Sequence, residues 1–161
     1  MGILVNINDF NNTEYRFQVN DFNEDFIEEF VDTKEKLWIK TILGNTLGAE
    51  FIANPTEVRW KEIKDPFVSH CGRQCMGLKQ ALVAFIYTDL IKPDGTYSAQ
   101  SAQKVKAEVK QNINLQANYA RAYNDGVEQT NLIRHKMRHH CDLFPNIRWC
   151  EHIRMFKSLP F

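Results

Sequence analysis

The sequence predicts an all-α fold: a small helical bundle around one central buried helix at about residues 78–91, with an extended N-terminal arm and a C-terminal tail. Three observations predict it. Apolar side chains recur at helical spacing through most of the stretch from Asp21 to Cys141. One segment within it, Leu78 to Leu90, is apolar on nearly every side and needs neighbours all round. Alternating patterning is limited to Tyr15-Arg16-Phe17-Gln18-Val19, which suits a short strand or an extended arm. The 161 residues are expected to form one domain: an arm (1–20), a helical core (21–141) and a tail (142–161).

Taken in order, the first helix is expected to start near Asp21 or Asn23, with acids in its first turn where the helix dipole favours them. Phe26, Ile27, Phe30, Val31, Leu37, Trp38, Ile42 and Leu43 form its apolar stripe, interrupted at Lys34 and Glu35. Gly44-Asn45 stops it. A short helix carrying Leu47, Phe51 and Ile52 ends at Asn54-Pro55, because the residue before proline avoids helical geometry. Thr56 is the expected cap of another short helix with Val58, Trp60 and Ile63, and Asp65-Pro66 opens a loop. After the central helix, Pro93-Asp94-Gly95 is a turn. From Ala102 to Met137 apolar residues again recur at helical spacing. The Gln/Asn-rich run QNINLQAN favours a break near Asn114 and a helix from there to about Cys141 over one very long helix.

Composition narrows the function classes. Hydrophobic residues at 43% and charged residues at 25% are ordinary for a globular domain. The longest apolar run, Ala81 to Tyr87, is too short to span a bilayer, so no membrane contact is expected. The opening MGILVNINDF has neither a charged leader nor an apolar signal core, and Asn6 stands where a myristoylation signal wants Ser or Thr. Cys71, Cys75, Cys141 and Cys150 are too few for a disulfide scaffold and are expected to be free thiols. Formal charge is zero but unevenly spread. Asp21, Glu24, Asp25, Glu28, Glu29, Asp32 and Glu35 crowd one end of the core, while Arg134, Lys136, Arg138, Arg148, Arg154 and Lys157 dominate the other. Such polarity suits head-to-tail self-association, and equally two solvated faces of a monomer.

Chemistry concentrates in HKMRHHC, His135 to Cys141. Cys71 and Cys75, spaced CxxxC, offer soft ligands that His139 and Cys141 would complete as a zinc site. Only one loose pair is present where a zinc signature needs two tight ones, so no metal and no cofactor is the expectation. No glycine-rich elbow, GxGxxG or Walker loop accompanies any nucleophile, and no enzymatic activity is expected. Arg134, Lys136, Arg138, His139 and His140 are a basic patch able to touch phosphates. The same cations complement a helix C-terminus without any ligand, which the neutral overall charge favours. The acids from Asp21 to Glu35 are expected on a solvated helix face.

Three stretches, FIEEFVDTKEKLWIKTILGNTLGAEFIANP, GLKQALVAFIYTDLI and NYARAYNDGVEQTNLI, together resemble small virion proteins of tailed phages of Bacteroidetes hosts, crAss-like phages included. These are similar to head–tail connector, or neck and adaptor, proteins. The likeness spans roughly Asn20 to Ile133 and rests on apolar patterns rather than catalytic signatures. It implies an α-helical protomer repeated about 12 times in a cyclic ring between the capsid portal and the tail or a second neck protein. DNA would pass through the channel without sequence-specific contact. The location implied is the neck of the virion, and the host cytoplasm during assembly. The segment from His135 to Phe161 has no counterpart in the family pattern. Arg134, Lys136, Arg138, Arg148, Trp149, Arg154 and Phe156 are therefore the expected subunit or partner contacts, and Asp21, Glu24, Asp25, Glu28 and Glu29 an acidic channel or partner face. The alternative is a cytoplasmic zinc- or nucleic-acid-binding regulator.

Overall fold

The computed structural model describes residues 2–10, 24–91, 115–145, 147 and 153–155. The protein is mostly helical: α1 (Glu24–Leu43), α2 (Asn45–Ala53), α3 (Lys61–Lys64), α4 (Leu78–Ile91) and α5 (Leu115–His139), with short 3-10 turns at Ile7–Phe10 and Val58–Trp60. A small antiparallel hairpin pairs β1 (Phe67–Val68) with β2 (Gln74–Cys75), in the register Phe67 to Cys75 and Val68 to Gln74. That hairpin replaces the loop expected after Asp65-Pro66. Its strands are two residues each, too short for alternation to announce them.

Helix α4 is the hub. Leu78, the whole run from Ala81 to Ile86, Thr88 and Ile91 are all buried, as its lack of a polar face requires. α1 covers one side and α5 another, with α5 making the most extensive packing. Phe85 sits between them. Trp38 of α1 stacks on its ring at 4.1 Å and 6°, and Tyr123 of α5 meets it edge-on at 5.6 Å. Gly126 makes this approach possible, since a Cβ there would stand 3.0 Å from the Phe85 ring. The Trp38 indole N–H donates to Asp89 at 3.0 Å, and Lys34 pairs with the same carboxylate at 3.2 Å. A second aromatic cluster joins Phe51, Trp60 and Phe144 at centroid distances of 5.2 and 5.7 Å, anchoring α2 and the chain beyond α5 to the same core.

Helix ends follow the backbone rules. Gly44 at φ 85° ends α1 and lets α2 start at once, and Asn54 closes α2 before Pro55. Thr56 does not cap the next turn: its hydroxyl donates to Asn54 Oδ1 at 3.0 Å, and Glu57 occupies the flanking position. Gly77, at φ 88°, connects the hairpin to α4 where an added Cβ would lie 2.2 Å from the Lys64 carbonyl oxygen.

The described part of the N-terminal segment, 2–10, is not an extended arm reaching outward. It folds back on its own core, burying Val5 completely enough to leave 1% exposed and Phe10 fully. The clasp is Glu35. Its carboxylate accepts the N–H groups of Ile3 at 2.6 Å, Leu4 at 2.6 Å and Val5 at 3.1 Å. The sequence places Glu35 among solvated acids; it is in fact 0% exposed, whereas Leu37, expected in the apolar stripe, is 53% exposed. A buried carboxylate is tolerable only with such donors, and the arm supplies them. Burial pushes the Glu35 carboxyl above the ordinary carboxylate value of 4.5, against the opposing N–H groups of Leu4, Ile3 and Val5. The fold thus binds this proton more tightly than the unfolded chain does. Its contribution to stability is full below 4.5 and declines as pH rises through the raised value.

Replacing Glu35 by Gln puts an amide N–H₂ where one oxygen now accepts, so at least one buried N–H loses its partner. Chemical denaturation at neutral pH should show a loss of about 1–3 kcal/mol, with faster amide exchange at Ile3 to Val5. Unchanged stability and exchange would mean the clasp is incidental.

Candidate functional site

The stretch from Arg134 to Cys141 winds through the last turns of α5, where successive side chains point about 100° apart. Neighbours in sequence therefore part company in space. Arg134 turns inward and is 5% exposed. Its Nε donates to the Ile42 carbonyl at 2.9 Å and its Nη2 to the Thr41 carbonyl at 2.6 Å. Those carbonyls belong to the last turn of α1, where a cation is favoured by the dipole and the backbone acceptors have no partner within the helix. Expected at a subunit or phosphate contact, Arg134 instead caps a helix of its own chain.

Lys136 points sideways. It pairs with Glu62 of α3 at 2.9 Å and lies 4.4 Å above the Phe67 ring of the hairpin. The Lys136 ammonium, through a hydrogen bond and its charge, lowers the Glu62 carboxyl below its ordinary value. Arg138 is half-buried. His135 and His139 are exposed on the outer face, where the His139 ring meets His135 at 4.5 Å and His70 of the hairpin turn at 4.7 Å.

The sequence pointed to Cys71, Cys75, His139 and Cys141 as the possible zinc set. Cys75 is buried under the hairpin, its thiol pushed up by that burial, while Cys71 and Cys141 are exposed. Among the described residues no group of three or more His, Cys, Asp or Glu side chains is placed to hold a metal. Cys71 stands in a tight turn in which the Ser69 hydroxyl lies 3.1 Å from its sulfur and, with the Arg73 N–H, lowers the thiol from its ordinary value.

On the opposite charge, Asp25, Glu28 and Glu29 are exposed along α1, and Asp32 continues the same i, i+3, i+4, i+7 stripe while pairing with Lys36 at 2.6 Å. Glu24 opens α1, and Arg154 is exposed. Asp21, Arg148, Trp149 and Phe156 lie outside the described residues, as do the Pro93-Asp94-Gly95 turn and most of the tail. His70, Glu62 and Glu35 are the residues that sequence patterning missed. Each acts through a partner distant in the chain, so spacing carries no signal for it. No family model, curated protein or solved structure matches the chain.

Two substitutions separate internal from external roles. Arg134→Met leaves the Thr41 and Ile42 carbonyls without their donor and should cost about 2–4 kcal/mol by denaturation, with Arg134→Lys recovering part of it. A stability matching the unsubstituted chain would return Arg134 to the surface. Glu62 has a depressed proton affinity, so its contribution holds above its ordinary value of 4.5 and is lost as pH falls through the lowered one. In Lys136→Met, a carboxyl titration followed by NMR should move Glu62 back towards that value. An unmoved titration would show that the pair is not formed in solution.

Proposed function

We propose that this chain is a structural virion protein of the head–tail connector type, a ring-forming protomer that joins the capsid portal to the tail or a second neck protein. In this proposal its helices form a compact bundle around α4, about 12 copies close into a cyclic ring, and DNA passes through the middle without sequence-specific binding. It works by geometry rather than catalysis. It acts in the neck of the virion after assembling in the host cytoplasm. Among the described residues no helix is long and apolar enough to cross a membrane.

The acidic stripe of α1 carries this reading. Asp25, Glu28 and Glu29 line one exposed helix face, and among the described residues no ion pair engages Glu28 or Glu29. A ring that repeats such a stripe around its axis presents a wall of carboxylates to passing phosphates, which repels them and lets the duplex slide. The internal commitment of Arg134 and Lys136 supports the same view, since the two central cations of the basic stretch already have partners within the chain. The metal-binding and nucleic-acid-binding alternatives gain no corresponding observation.

Mass spectrometry and cryo-imaging of purified particles test the proposal. The chain should be present at a fixed ratio to the portal and form a ring beneath it; its absence from particles rejects the proposal. Glu28→Lys with Glu29→Lys should change stability by less than about 0.5 kcal/mol, because both sites are exposed, while lowering the yield of infectious, DNA-filled particles. Full infectivity of that double variant would remove the channel role of the stripe.

A further inference from the structure

The hairpin and the end of α5 meet through imidazole rings that the connector role leaves unused. His139 stands between two others: His70, from the hairpin turn, set edge-on at 4.7 Å and 62°, and His135, one helical turn earlier, at 4.5 Å and 58°. We propose that the His70–His139–His135 stack is a pH-operated latch, in which neutral imidazoles hold the hairpin tip, Ser69 to Arg73, against the end of α5 and protonation releases it. The proposal is independent of the connector reading.

Neutral rings pack edge to face because the electron-poor edge of one meets the electron-rich face of another. A single proton in the stack leaves a cation over a neutral ring, which is still attractive. A second proton places like charges less than 5 Å apart, and the contact becomes repulsive. The surroundings offer little relief. On α5 itself Lys136 and Arg138 are cationic, His140 follows its last residue, and the hairpin adds Arg73. α3 contributes one acid, Glu62, already held by Lys136 at 2.9 Å and acting on His140 as well. Asp142, in the turn after α5, is exposed.

One opposing influence is the α5 C-terminus, whose dipole favours a cation. It does not prevail at His139, whose proton affinity is lowered by partial desolvation and then by His135, His70 and His140. A histidine that binds its proton less tightly folded than unfolded contributes fully above 6.5, and that contribution is lost as pH falls through the lowered value.

Release is confined to the tip because the base of the hairpin has other anchors. Cys75 is buried, the Met76 N–H donates to Gln129 Oε1 at 2.7 Å, and Lys136 covers Phe67. The tip keeps its own shape through the Ser69 N–H to Arg73 carbonyl bond at 2.8 Å and the Ser69 hydroxyl to the same carbonyl at 3.0 Å. Besides the stack, Arg73 to Glu128 at 3.4 Å straps the tip to α5, and an ion pair so exposed holds it only weakly.

Imidazole NMR titration of the full chain, with amide-exchange protection factors at about pH 7.5 and about pH 5.5, tests the latch. His139 should titrate below 6.5, and protection at Ser69 to Arg73 should fall on the order of fivefold on acidification while Met76 stays protected. His70→Phe keeps a ring that never charges, so its tip should stay protected at both pH values. His139→Gln should leave the tip equally loose at both. Wild-type protection that does not change with pH overturns the proposal, as does a fall that persists in His70→Phe.

Discussion

A helix with no polar face constrains everything else in this protein. α4 buries side chains around its full circumference, from Leu78 through Phe85 to Ile91, so its stability comes from what surrounds it. α1, α5, the N-terminal segment and the residues after α5 are each recruited to cover part of it or of the core it shares. The Trp38–Phe85–Tyr123 stack shows the consequence at one point: three helices meet on one ring, and Gly126 leaves it room, since a Cβ there would press on the Phe85 ring at 3.0 Å. Core packing of this kind fixes distances to a few tenths of an ångström, and the polar contacts at its margin inherit that precision.

Two of those contacts are charges taken out of water. Glu35 and Arg134 are both on the core side of their helices, and neither relies on the other. Each is hydrogen-bonded by backbone: Glu35 by three N–H groups of the N-terminal segment, Arg134 by two carbonyls at the end of α1. Backbone partners suit buried charges because they arrive already oriented and cost no side-chain entropy to hold. They also solve a second problem, since peptide groups at a helix end or in a segment without ladder partners would otherwise be buried unsatisfied.

The sequence makes the helices legible and leaves the joints obscure, for a physical reason. Periodicity reports which face of an element is apolar, and it locates α1, α2, α4 and α5, with stops at Gly44 and Asn54-Pro55. It reports nothing about a contact whose two halves lie far apart. Glu35 looks like an interruption of a stripe because its donors are 30 to 32 residues away; Arg134 looks like a surface cation because its acceptors are 92 and 93 residues away. The hairpin escapes notice because two-residue strands have no period. The same limit applies to HKMRHHC, which reads as one basic patch. In the fold, that stretch and the Arg134 before it are one cap, one ion pair and an outward ring stack, sorted by the helical rotation.

That sorting decides how much charge the molecule has left for its surroundings. Counted in sequence, the acidic and basic ends look matched, as a head-to-tail contact would require. Counted in space, they are not: Arg134 is spent on α1 and Lys136 on Glu62, whereas Glu28 and Glu29 remain on the outer face of α1. The α5 end therefore turns the paired rings of His135 and His139 outward, while the α1 face presents the Glu28 and Glu29 carboxylates. An acidic surface along one helix and an imidazole surface at the end of another is a different object from a simple dipole. The first repels polyanions, and the second gains charge where its imidazoles bind protons.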